Sequence, residues 1–558
     1  MPFELPIAYC KKKKKLFKNL YEDLELLEGE GAGMYEHLFR PKTILGKKIL
    51  KQWSEYYTTD RKFLKDSQKL CSALKDEKVD QLCIEKCWKT WGDIKGQEDF
   101  IEKYQYVDWD RVKWLNKSAP FLSFMSVYNI ASPVLNLLLP IIMMIIPFFL
   151  LKIMRIPLTF ESYKRILLEQ LQHHSVGQLF TQFQHVSWNQ RVYILVSIGV
   201  YFYNIYQNII SCYRFFVNMK NIDLYFSNMR SYATYTLDKM NMIIEKCDKL
   251  PSYELFIAEL SEYRDDLKKI AQNIPTKAAL SKTGCFNIGN VMRQFYLFHT
   301  DENINRTFSY TFGFNGYLDT MISLSNNPHL NNAKYKRSKK PYFKISNAYY
   351  PPLADSDPVK NDITLAKNII ITGPNAAGKT TLLKCIMLNI LFTQQVGRGF
   401  YDSATLVPFD FIHCYLNIPD TSGRDSLFQA EARRCKKILD FIKQHKSKKH
   451  FCIFDELYSG TNHYEAIGSA YAYLKYIAAI SSVRFMLTTH FIKLCEKLSK
   501  TKNITNINME TSIENMESTY TYKVITGISK SKGGICVLKQ LEYPVEILEM
   551  TQNIIDEL

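Results

Sequence analysis

From Ser118 to Leu151 the chain carries no charged residue, and Val134 to Leu151 is almost wholly apolar. About 20 such residues, as a helix, cross the ~30 Å hydrocarbon core of a bilayer. A second uncharged window, Val192 to Tyr213, is closed by Arg191 and Arg214, and together the two windows predict a two-helix membrane hairpin over 118–215. Pro140 and Pro147 lie in the first window. They would cost a soluble helix several hydrogen bonds, but a membrane helix with neighbours re-satisfies its backbone. The competing reading is a pair of buried core helices, because Asn204, Gln207 and Asn208 make the second window less apolar. Lys and Arg flank both windows on all sides and do not fix an orientation.

Outside the windows the pattern is that of soluble helices. Residues 1–117 are charged and aromatic-rich, with apolar positions spaced for one buried face and no chemistry-bearing motif. Over 216–345 the stripe Met229, Ala233, Leu237, Met240, Ile244 and Cys247 recurs at spacings of three and four, the mark of a core-facing helix. A basic, proline-marked linker, Lys334 to Lys340 and on to Pro352, hands over to the last region, 346–558. There the apolar runs shorten to strand length at Asn368–Thr372, Phe451–Phe454 and Phe485–Thr489, which predicts an α/β domain. No internal repeat is present.

Composition adds two constraints. With 558 residues, 46% of them hydrophobic, the chain has material for several cores, and its net charge of +17 suits a polyanionic partner such as nucleic acid or an acidic lipid surface. A general bias toward Lys would give the same figure. The 13 Cys are scattered; Cys71, Cys83 and Cys87 have no His nearby and no paired C-x-x-C knuckle, so a reducing, cytosolic setting is expected rather than a zinc site. Met1 to Cys10 is too short for a secretory apolar region before Lys11–Lys15, and that basic run reads as a solvated charge patch.

The candidate chemistry lies in the last region. The strand 368–372 flows into Gly373, Pro374, Asn375, Ala376, Ala377, Gly378, Lys379 and Thr380, a complete G-x-x-x-x-G-K-[ST] turn continued by Thr381. The glycines let successive N–H groups face a phosphate, the following helix adds its positive end, and Lys379 supplies a point charge. The Thr380 hydroxyl suits Mg²⁺, which takes oxygen ligands and keeps several waters. A second apolar strand ends in Asp455 and Glu456: the first carboxylate is placed to hold the metal, the second to orient and deprotonate a water. A third ends in His490, at the strand end where ligands bind in such sheets, placed to sense a γ-phosphate. The bland readings are a glycine-rich turn, a surface pair of acids and a structural His.

These residues resemble the MutS family of mismatch-repair and recombination ATPases, within the ABC-type branch of P-loop folds. The turn is similar to the family's G-P-N-x-x-G-K-S-T, and Val359-Lys-Asn-Asp362 resembles its V-P-N-D segment near the adenine. Ser426-Leu-Phe428-Gln-Ala-Glu431 matches S-x-F-x-x-E, and Asp455-Glu-Leu-Tyr-Ser-Gly460-Thr461 matches D-E-x-x-x-G-T. Gly527-Ile-Ser529, Gly533, Gly534 and Pro544 resemble the closing strand and the Pro-led helix that embraces a partner subunit. The resemblance implies ATP and Mg²⁺ as ligands, DNA as a partner, and a homo- or heterodimer in which Ser426 reaches the γ-phosphate held by the other subunit. It implies a helical core and lever over 216–345 and a C-terminal dimerisation helix. From the residues alone, Ser426 is a plain N-cap.

Three features depart from the family. Residues 216–345 leave little room for a DNA-encircling clamp, Phe400-Tyr-Asp402 replaces a small Pro-containing turn, and Phe100-Ile-Glu102 matches the F-x-E wedge of mismatch readers in no recognisable reader domain. Two functions follow as expectations: an ATP-gated DNA-binding protein, or a membrane-anchored ATPase acting on a protein or lipid partner without mismatch recognition. Full mismatch repair would require Phe100 to act as a reader. An ABC transporter is not expected, since the L-S-G-G-Q signature is missing and two spans make a poor pathway. The expected location is a membrane with the ATPase domain on the cytoplasmic side, the alternative being a soluble cytoplasmic or nuclear protein.

Overall fold

Strand β1 (Lys13–Lys15) pairs antiparallel with β2 (Tyr56–Thr58), and the short helix α1 (Lys18–Asp23) lies between them in sequence. In a computed structural model the chain is described over residues 2–29, 31–155, 159–173, 177, 183, 187–276, 287–416, 426–514, 517–529, 535, 538–539 and 541–557. It divides into two units, and these cut across the boundaries expected from sequence: one comprises Met1–Gln81, Asp238–Arg264 and Ser309–Leu558, the other Leu82–Leu237 and Asp265–Phe308.

The first unit is built on a six-stranded sheet of β3 (Asn368–Thr372), β4 (Phe411–Tyr415), β5 (His450–Asp455), β6 (Val483–Thr488), β7 (Ile504–Glu514) and β8 (Glu517–Thr526), in the order β4-β5-β6-β3-β7-β8. All pairs are parallel except β7 with β8. Parallel strands are covered on both faces, which is why these read as unbroken apolar runs. Helices α3 (Leu427–Gln444), α4 (His463–Ala478) and α5 (Ile492–Ser499) close one core around Cys452, Phe454, Phe485 and Leu487. The alternate residues face α2 (Lys379–Val396), because side chains alternate along a strand. A second, five-stranded sheet joins 331–335, 342–348, 361–364, 398–399 and 403–407.

Helix α2 explains why the N-terminal segment belongs to this unit. It is buried on nearly every side, including its polar residues Asn389, Thr393, Gln394 and Gln395. A buried amide without partners costs about 1–3 kcal/mol, and the partners come from the N-terminal segment and from the strand segment that follows α2. Gln394 exchanges hydrogen bonds with the Phe409 backbone (2.9 and 2.8 Å), and Gln395 Nε2 donates to the Trp53 carbonyl at 2.7 Å. The aromatic stretch at 400–402 is core as well: Phe400 and Tyr401 are buried, and the Phe400 N–H donates to Asn389 Oδ1 at 2.7 Å.

The second unit is helical. The helix Ala119–Ile153 runs unbroken through Pro140 and Pro147, and a 60-residue helix, Trp188–Cys247, belongs to this unit as far as Leu237. Tyr201 donates to the Asn136 carbonyl at 2.9 Å and Cys212 Sγ to the Ile130 carbonyl at 3.9 Å, so the two helices run antiparallel. Among the described residues one helix is long and apolar enough to cross a membrane, Ala119–Leu138, with mean hydropathy 1.4; the window 192–213 lies within the longer helix and does not meet that measure. Of the stripe expected at 229–247, Met229, Ala233, Met240 and Cys247 are buried while Leu237 and Ile244 are partly exposed.

Phe100 is 1% exposed, stacked on His299 at 3.8 Å and on Tyr106 at 5.5 Å. It is core, not a projecting wedge. Phe100→Ala is expected to destabilise the protein by about 3–5 kcal/mol, measured by denaturant unfolding; a change below about 1 kcal/mol, in the range of surface positions, would contradict its placement.

Candidate functional site

The C-terminal ends of β3, β5 and β6 are neighbours, with Asp455 opposite Thr488 and Thr488 opposite Ile371 in register. All three loops that leave these ends carry candidate residues. After β3 the chain turns through 373–378 into α2. Gly378 sits at φ +88°, and a Cβ there would lie 3.1 Å from a ring carbon of Tyr522, so any other residue would be both strained and crowded.

Lys379 is 6% exposed. Its ammonium donates to the carbonyls of Gly373 and Pro374, each at 3.0 Å, and to Asn375 Oδ1 at 3.4 Å. Burial lowers its pKa, and the charges of Glu456 and Asp455 act in the opposite sense from beyond ion-pair distance. A buried cation whose near partners are all neutral is receptive to an anion. The first-turn amides of α2 and the positive end of that helix open toward the same place.

Asp455 is held by two hydroxyls: Thr380 Oγ1 donates to Oδ2 at 2.9 Å, and the Thr488 hydroxyl donates to Oδ1. Hydroxyl and carboxylate oxygens side by side fit Mg²⁺, which binds through one or two carboxylates and waters and needs no cage of protein ligands. Glu456, at φ +47°, donates its N–H to the Thr488 carbonyl at 3.1 Å and sets Oε1 3.5 Å from His490 Nδ1. The hydrogen bond to His490 holds the Glu456 carboxyl below its ordinary pKa against the opposing effect of burial, with the His490 and Lys379 charges adding to the lowering.

Lys379, Thr380 and Glu456 border a cavity of about 670 Å³ whose other wall is Tyr349, Tyr350, Val359 and Asn361, with Tyr522 over the turn. Asn361 fixes that cover, donating to the Tyr522 carbonyl at 3.0 Å and accepting from the Val524 N–H at 2.9 Å. Asn375 to Thr381, Glu456 and the Val359–Asn361 segment are thus brought to one place, with Asp455 and His490 bonded at its edge. Ser426 is not: it caps α3, accepting from the Gln429 N–H at 3.3 Å, and does not line this cavity. Glu431, 2% exposed, ties α3 to the loop after β5 by accepting from the N–H groups of Ser459 (3.0 Å) and Gly460 (3.1 Å). Gly533 and Gly534 lie outside the described residues, whereas the Ser529 N–H donates to Thr372 Oγ1 at 2.8 Å beside the turn.

Sequence reasoning missed Tyr522, Tyr350 and Thr488. Nothing in the local pattern singles out an aromatic on a strand hairpin, but a Thr at the last position of the strand that also delivers His490 was a usable signal.

The fold is an α/β sheet, parallel but for its last pair, that brings a glycine-rich turn, two acids and an imidazole to neighbouring strand ends, and comparison with known sequences narrows its class. Residues 369–558 match the family model described as MutS domain V. The chain is 30% identical over 206 residues to the DNA mismatch repair protein MutS of Staphylococcus saprophyticus, covering 36% of this chain and 23% of that protein. It is 30% identical over 214 residues to the DNA mismatch repair protein MSH2 of Saccharomyces cerevisiae (36% and 22%), and 28% identical over 253 residues to endonuclease MutS2 of Staphylococcus aureus (43% and 31%). The likeness to MutS-family proteins is carried by this C-terminal domain. It spans between about a fifth and a third of the length of these relatives.

Proposed function

We propose that residues 346–558 bind and hydrolyse ATP with Mg²⁺, and that the chain is a MutS-like, ATP-dependent DNA-binding protein that works as a dimer. The observation that carries this reading is the meeting of one turn, two carboxylates and one imidazole at three adjacent strand ends, with Lys379, Thr380 and Glu456 lining one cavity, Asp455 bonded to Thr380 and His490 paired with Glu456. Lys379 neutralises the β- and γ-phosphates while the turn's amides hold their oxygens. Thr380 and Asp455 hold the metal, which when bound supplies positive charge to the transferring phosphoryl group. Glu456 accepts the proton of the attacking water, and His490 orients that carboxylate and faces the γ-phosphate.

Ser426 stands at an exposed helix start, outside its own chain's cavity. With the family resemblance, that placement supports a contact to the γ-phosphate of a second subunit, identical or related. ATP binding then closes the dimer, hydrolysis reopens it, and the helices of 216–345 change their grip on DNA. The test is retention of matched, mismatched and four-way-junction DNA in ADP and in ATP. A difference in affinity of at least about fivefold between nucleotides, the lower range of allosteric coupling, is expected; equal retention in both states contradicts the reading.

A second reading sets the same cycle on a membrane, with the ATPase domain on the cytoplasmic side. It is favoured by the polarity of the antiparallel helices at 119–153 and 188–247. Val134, Leu137, Phe149, Val196, Phe202 and Ile209 are exposed on them, while polar groups at 136 and 201 join one helix to the other. That inverts the rule for water and follows the rule for lipid. Alkaline carbonate is expected to leave the protein in the membrane pellet; release into the supernatant refutes insertion and leaves a soluble cytoplasmic or nuclear protein.

A further inference from the structure

Two lysine-rich segments, far apart in sequence, meet at the end of the six-stranded sheet remote from the cavity. Residues 11–18 hold six Lys and no acid; residues 436–449 hold six Lys and one acid, Asp440. Strands β4 and β5 begin at this end, with Phe411 opposite His450. Phe17 fastens the first segment there, stacking on His413 at 5.5 Å and meeting Phe441 edge-on at 5.2 Å. The Lys14 ammonium stands 5.1 Å above the Phe411 ring, and the Phe411 N–H donates to the Lys449 carbonyl at 3.0 Å, so Lys14 lies beside the turn that carries Lys446, Lys448 and Lys449.

Little at this end compensates the charge. Ten of the twelve lysines are exposed, and Lys14 and Lys449 are partly so. Among the described residues only Lys18, with Glu22 at 3.2 Å, and Lys436, with Asp440 at 2.6 Å, form ion pairs. The nearby Asp410 carboxylate is engaged by the Lys449 N–H at 3.0 Å. Like charges crowded on a surface destabilise the compact state until counter-ions or a polyanion join them. All twelve are Lys and none is Arg, point charges without the planar fork that reads a base edge, which suits backbone phosphates.

We propose that this end of the sheet holds the phosphodiester backbone of duplex DNA without regard to sequence. This rests on the DNA-binding reading above and adds a contact surface to the grip assigned there to the helices of 216–345. An acidic bilayer is the competing polyanion and can hold a lysine cluster by charge alone, which the vesicle arm below tests; the amphipathic helices that bind bilayers insert apolar side chains as well. Neither lysine segment has a large hydrophobic residue exposed: Leu16 and Ile442 are buried, and Phe17 and Phe441 are stacked inward. The patch lies at the opposite strand ends from Lys379, so nucleotide binding and phosphate-backbone binding are separable by mutation.

The experiment uses the full chain in detergent micelles, with Lys446→Gln/Lys448→Gln/Lys449→Gln as one variant and Lys12→Gln/Lys14→Gln/Lys15→Gln as another. Anisotropy of a labelled matched duplex is followed across a salt series, with a fluorescent ADP titration alongside. Each variant is expected to weaken DNA binding at least tenfold and to flatten the slope of log K against log salt by about 0.9 for each phosphate no longer neutralised, with ADP affinity unchanged. Unchanged DNA affinity and slope overturn the proposal, as does a loss of binding to phosphatidylserine vesicles with DNA binding intact. Steep, lysine-dependent DNA binding that ignores the nucleotide supports this surface while refuting the ATP-switched cycle.

Discussion

Lys379→Ala is expected to lower ATP hydrolysis by at least about 100-fold, which at 1.36 kcal/mol per tenfold corresponds to about 2.7 kcal/mol of lost transition-state stabilisation. The ammonium is buried, and its near partners are two carbonyls and an amide oxygen, none of them charged. Its charge is therefore uncompensated at close range, and a phosphate arriving in the turn receives it undiluted. Truncation removes that charge where water screens it least. The fold should tolerate the change: desolvating a cation is itself costly, so losing three hydrogen bonds to neutral acceptors is offset by no longer burying the ammonium. Phosphate release under saturating ATP, with a thermal melt to verify folding, checks both halves. Wild-type turnover in a folded variant would remove Lys379 from the site.

Glu456→Gln is expected to have the second large effect and a different signature. A positioned general base contributes about 10²–10⁴-fold, so hydrolysis falls by that factor while nucleotide affinity stays within about threefold, since Gln keeps the shape and the polar contacts. The prediction includes a pH profile. His490 holds the Glu456 carboxyl below its ordinary pKa, so the ionised base persists as pH falls and is lost only through that depressed value. His490→Ala should move the acid limb of the rate profile toward higher pH. The ATP-bound dimer should accumulate in Glu456→Gln and not in Lys379→Ala, read by size-exclusion chromatography in ATP and in ADP. A base variant that loses nucleotide affinity along with rate would assign Glu456 to binding instead.

What could be read from sequence is what short-range spacing encodes. The turn 373–380, the acids after an apolar strand and the imidazole after the next each depend on a few adjacent residues, and β3, β5 and β6 bring them together by pairing order. The N-terminal partnership with α2 could not be read that way. Gln394 and Gln395 look like surface positions, and the N-terminal partners Thr58, Trp53 and Tyr56, near in space and far in sequence, explain their burial. The same distance hid Tyr522 above Gly378, and it hid the meeting of the two lysine segments, the first of which reads alone as a solvated patch. The F-x-E triplet shows the other side of this: three adjacent residues match a reader's wedge in no reader domain, and the packing of Phe100 against His299 makes it core.

The most direct measurement is equilibrium binding of ATP to the purified chain with and without magnesium, by filter retention of labelled nucleotide. Magnesium-dependent retention of one ATP per chain, lost in Lys379→Ala, is the predicted result. A folded wild-type chain that retains no nucleotide in either condition would contradict the assignment of the 373–380 turn and everything built on it.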